Sequence, residues 1–126
     1  MESPAVRRRE PWQFVLAALF ALSAVADLSI VVNWLRGDNE PSAIVLWHGV
    51  TLAASVACLV SIWGRRTWAP YAVAAWGIAN TTLVLSLPLL LVDLPADAVP
   101  GILAGGAAVG VFTALCVWVT WRRTRP

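Results

Sequence analysis

PWQFVLAALFALSAVADLSIVVNWL, residues 11–35, is an apolar run broken by one charge, Asp27. It is longer than the roughly 20 residues an α-helix needs to cross a hydrocarbon core about 30 Å thick. Two readings compete. Arg7, Arg8 and Arg9 stand before the run and Ala24-Val25-Ala26 precedes the acid, which is the layout of a secretory signal with its cleavage site. The apolar character nevertheless continues past Asp27 through LSIVVNWL, whereas a signal core spans only about 7–15 residues. The stretch therefore reads as an uncut transmembrane helix that carries a carboxylate in its second half.

Three further stretches, 41–64, 67–92 and 98–121, contain no Asp, Glu, Lys or Arg and are each long enough to span. With 60% hydrophobic and 13% charged residues, the chain lacks the polar surface of a water-soluble domain. The apolar character is continuous rather than alternating, which selects helices over barrel strands. The short links RGDNEP, GRRT and DLPADAVP make sequence neighbours antiparallel neighbours. The expected fold is all-α, an integral membrane up-down four-helix bundle forming a single domain over 1–126. Pro41, Pro70 and Pro100 fall in or near first turns, and Pro88 should kink helix three near its end.

All nine basic residues are arginine, and eight of them lie before helix one, between helices two and three, or after helix four. Only Arg36 is on the other side. Basic residues are retained in the cytoplasm, which predicts cytoplasmic N- and C-termini and places Asp38, Glu40, Asp93 and Asp97 outside. Trp12, Trp63, Trp68, Trp118 and Trp121 mark the inner boundary, and Trp34 and Trp47 the outer one. The net charge of +2 thus reflects topology and anionic lipid rather than nucleic acid. The arginine-only, alanine-rich composition points to a bacterial inner (cytoplasmic) membrane. A faint repeat at an offset of 56 pairs Trp12 with Trp68, Phe20 with Trp76 and Ala21 with Gly77, as two similar hairpins in tandem would.

An ionised carboxylate at mid-membrane costs about 2.5–3.5 kcal/mol on insertion scales, so Asp27 should face the bundle interior, paired or protonated. Folding the first hairpin about residues 38 and 39 puts Asp27 opposite residue 50, within a turn of His48, the only histidine. His48, Thr51, Ser55 and Cys58 share a helix face, and Asn80 lies at mid-depth in helix three. Asp27, His48, Asn80 and Trp76 are the candidate ligand-binding residues, with Trp47 and Trp76 as an aromatic wall. The alternative is that these polar groups only hydrogen-bond helices together, at about 0.6 kcal/mol per contact.

In helix four, Gly101 with Gly105 and Gly106 with Gly110 form two G-x-x-x-G spacings, which allow backbones to approach closely. They serve packing either within the chain or between chains. Cys58 and Cys116 lie at matching depths and behave as small hydrophobes. The chain has no lysine for a Schiff base or P-loop, and one histidine cannot build a haem or zinc centre. No catalytic residues, metal or cofactor are expected. The leading expectation is a non-catalytic subunit that works by helix packing in the bilayer, with a membrane-protein partner or with copies of itself. A small transporter or channel-like protein using the Asp27/His48/Asn80 site is the alternative. A quinone or lipid held between helices, with His48 as hydrogen-bond partner, is a further one.

Overall fold

The computed structural model describes residues 8–37, 42–91 and 93–125. Four helices account for nearly all of them: α1 (Pro11–Leu35), α2 (Ser42–Trp63), α3 (Ala69–Leu90) and α4 (Val99–Thr124), with one 3-10 turn, Ala96–Ala98, leading into α4. Each helix is long and apolar enough to cross a membrane. Arg7, Pro41 and the acids expected in the first link, Asp38 and Glu40, lie outside the described residues.

The helix limits differ from the sequence expectation by up to three residues. Helix α2 stops at Trp63 because Gly64 and Arg65 form the turn, with Arg65 in the left-handed conformation at φ 49°. The Arg66 N–H then closes back on the Ser61 carbonyl at 2.8 Å, as at a helix C-terminus. Helix α3 runs through Pro88 but ends two residues later, at Leu90. Helix α4 extends past the expected residue 121, with Arg122 and Arg123 in its last turn, where positive charge complements the helix dipole.

Helices α1 and α2 form one hairpin and α3 and α4 another, joined by packing of α2 on α3. Cross-helix contacts run in opposite directions along each hairpin: Gln13 meets Ile62 and Asp27 meets His48 in the first, and Tyr71 meets Trp121 and Leu85 meets Gly106 in the second. All four helices contribute to one buried cluster that includes Leu16, Phe20, Ile62, Val73, Trp76 and Cys116. Phe20 and Trp76, equivalent positions in the faint repeat, meet edge-to-face there with ring centroids 5.1 Å apart. Around this core the surface is apolar, with exposed side chains such as Leu22, Leu46, Ile78, Leu89 and Val111. Such a surface suits lipid as its solvent.

At the end of the bundle rich in arginine, Glu10 ties three elements together. Its carboxylate accepts from Trp12 Nε1 at 2.6 Å and lies 3.4 Å from the guanidinium groups of both Arg65 and Arg123. Arginines stack on tryptophans at this same end: Arg9 on Trp63 at 3.9 Å and Arg125 on Trp121 at 3.8 Å.

Candidate functional site

Gln13, Leu16, Phe20, Ser23 and Asp27 follow one another on α1 at steps of three and four residues, forming one helical stripe. On α2 the stripe is His48, Thr51, Ser55, Cys58 and Ile62. The antiparallel hairpin lays one against the other, so that Asp27 meets His48 and Ser23 meets Ser55. Asp27 is thereby carried into the bundle and left 5% exposed.

His48 Nδ1 lies 2.8 Å from Asp27 Oδ1. An ionised carboxylate only accepts, so opposite ionised Asp27 the ring carries its proton on Nδ1. The second carboxylate oxygen, Oδ2, is buried and has no hydrogen-bond partner among the described residues. The pair can therefore take one more donor: a proton, an ammonium or a hydroxyl.

One turn toward the arginine end lies a second polar layer. Trp76 Nε1 donates to Ser23 Oγ at 3.1 Å, and Ser23 Oγ is 3.1 Å from Ser55 Oγ. Indole can only donate, so Ser23 Oγ accepts from Trp76, while either hydroxyl can donate in the Ser23–Ser55 contact, and the layer links three helices. Beyond it the stripes are closed by Phe20, Cys58 and Ile62, each fully buried.

The expected residues do not all converge. Asn80 donates to the carbonyl of Trp76 in its own helix at 2.9 Å, and no hydrogen bond joins it to Asp27 or His48. Trp76 is a core residue, edge-to-face with both Phe20 and Phe112. Trp47 donates to the Ala79 carbonyl at 2.7 Å, so the two indoles brace α3 rather than form a wall. Of the four glycines in α4, only Gly106 faces a neighbour closely, the side chain of Leu85. Gly101 and Gly110 have open space where a Cβ would stand, and Gly105 has only Val84 Cγ1 at 4.0 Å.

Three contributors were not singled out from sequence. Gln13 is fully buried, accepting from the Glu10 N–H at 2.9 Å and donating to the Ile62 carbonyl at 3.0 Å. Its place on the Asp27 stripe could have revealed it. Glu10 could have been found as the acid directly after Arg7-Arg8-Arg9, but Gly77, packed beneath Thr113, carries no local signal of that contact. Among the described residues no three His, Cys, Asp or Glu side chains gather as a metal site. Cys58 and Cys116 are both buried free thiols in the core cluster. Comparison with protein-family models, curated proteins and solved structures finds no match to this chain.

Proposed function

We propose that this chain is a multi-pass protein of a bacterial cytoplasmic membrane, with both termini in the cytoplasm, acting without catalysis as a subunit of a membrane assembly. The orientation is supported by seven described arginines, Arg8, Arg9, Arg65, Arg66, Arg122, Arg123 and Arg125, at one end against Arg36 alone at the other. The assembly role is carried by one observation: Gly101, Ala104, Gly105 and Ala108 are exposed on α4, where Gly101 has open space and Gly105 only grazes α3 at Val84 Cγ1. In lipid, helices associate through close packing of small residues, and among the described residues this face is largely uncovered. The test is Gly105→Leu, read by the mass of the assembly extracted in mild detergent. The expected result is loss of the partner or of the second copy with the helical fold kept. A wild-type chain that is monomeric and partnerless in native membranes would overturn the proposal.

The unpartnered Oδ2 of Asp27 favours a second reading, a small transporter or channel-like protein that uses the Asp27–His48 pair to hold a proton or cationic group. In reconstituted vesicles Asp27→Asn would then abolish coupled movement while assembly persists. Transport that is indifferent to Asp27→Asn would rule this reading out.

A further inference from the structure

Four arginines at the turn-and-terminus end surround one cleft. Arg8, Arg65, Arg123 and Arg125, with Glu10 and Thr67 among the other lining groups, enclose a cavity of about 620 Å³. Among the described residues Glu10 is the only acid in this lining, and it is shared by Arg65 and Arg123. Among the described residues neither Arg8 nor Arg125 is ion-paired, so the cleft keeps a net positive charge. Arg65 reaches it from a residue held at φ 49°, a conformation glycine adopts more readily. Its guanidinium also lies 3.4 Å from the Arg123 carbonyl oxygen, which joins the α2–α3 turn to the end of α4.

The cleft does not end in water on every side. Thr67, Thr124 and Arg125 also border a second cavity, about 320 Å³, walled by Trp68, Tyr71 and Trp121. Tyr71 and Trp121 meet edge-to-face across α3 and α4, with ring centroids 6.1 Å apart. A basic cleft thus opens into an aromatic groove between two apolar helices, matching a molecule with a phosphate at one end and hydrocarbon at the other. The geometry points to a binding site for the headgroup of an anionic phospholipid, with the phosphodiester among Arg8, Arg65, Arg123 and Arg125 and the glycerol and upper acyl chain along Tyr71 and Trp121. Basic pockets between transmembrane helices recognise lipid headgroups in this way. Planar guanidinium groups suit phosphate through paired N–H donors. The inference rests on the membrane-spanning reading above and is independent of any partner on α4.

The test is native mass spectrometry of the full chain in neutral detergent, offered equal phosphatidylglycerol and phosphatidylcholine. The wild type should retain phosphatidylglycerol in preference. Arg8→Gln with Arg125→Gln leaves the Glu10 contacts in place and should weaken that retention about fivefold for each arginine, the ratio equivalent to ~1 kcal/mol per basic group. Arg9→Gln with Arg122→Gln removes the same charge outside the cleft and should leave the preference unchanged. Equal retention of both lipids, or equal losses in the two double variants, would overturn the site. Displacement of the lipid by inorganic phosphate at matching concentration would assign the cleft to free phosphate instead and overturn the lipid. A chain that stays monodisperse without detergent would overturn the membrane reading itself, a failure distinct from the others.

Discussion

Gly77 on α3 and Thr113 on α4 approach so closely that a Cβ at position 77 would stand 2.6 Å from the Thr113 Cβ. Thr113 cannot rotate away cheaply, because its hydroxyl donates to the Val109 carbonyl at 2.7 Å and the overlap reaches its own Cβ. Gly77→Ala should therefore cost about 1–3 kcal/mol, the range for overpacking a filled interior. Denaturant titration in mixed micelles measures it. Gly106→Ala should cost less, because the obstacle is the flexible end of Leu85, and Gly101→Ala should be neutral or stabilising in the open space it fills. Equal midpoints for Gly77→Ala and Gly101→Ala would contradict the close α3–α4 approach.

The Asp27–His48 pair predicts an asymmetry. His48→Ala leaves both carboxylate oxygens buried without a protein partner and should cost about 1–3 kcal/mol, the penalty for an orphaned buried group. Asp27→Asn keeps an oxygen to accept from Nδ1 and should cost less. The same micelle titration, run on both single variants and the double, gives the coupling. A vanishing coupling energy would mean the two side chains do not interact.

Trp76 separates packing from hydrogen bonding. Trp76→Phe removes only the donor to Ser23 and part of the ring, and should cost about 1 kcal/mol beyond the lost area. Trp76→Ala also empties the contacts with Phe20 and Phe112 and should cost about 3–5 kcal/mol. Indole fluorescence cannot resolve one ring among eight tryptophans, so stability is the readout.

At the arginine end, Gln13→Ala should outweigh Glu10→Gln. Gln13 is fully buried and bonded at both ends of its amide, which puts its loss at about 1–3 kcal/mol. The Glu10 side chain is 35% exposed and its two ion pairs are 3.4 Å long, so its neutralisation should cost less than about 1 kcal/mol. High salt should diminish the second effect and spare the first.

The spans were legible because a transmembrane helix announces itself by uninterrupted apolar length, and the depth match of Asp27 to His48 followed from counting back from a short link. Which face points inward was harder to read. In a soluble helix the polar side marks the outside, but here both sides are apolar, and Gly105 and Gly106 look alike in sequence although only Gly106 meets a neighbour closely. Asn80 and Trp76 were grouped with the pair by depth alone. The structure puts the Asn80 amide on its own helix and the Trp76 ring in the core, a matter of rotation about the helix axis that depth does not carry. The packing role of Gly77 is not legible in the sequence because its reason lies on another helix, 36 residues further along the chain.

The placement of the imidazole also bears on how the chain is made. Synthesis proceeds from the N-terminus, and His48 comes 21 residues after Asp27. When α1 alone has emerged, its carboxylate has no partner, and α1 entering lipid by itself would carry the full cost of that acid. The first hairpin, with α2 folded back on α1, is the shortest nascent segment that enters with the acid already matched. Its insertion is expected as one event rather than two.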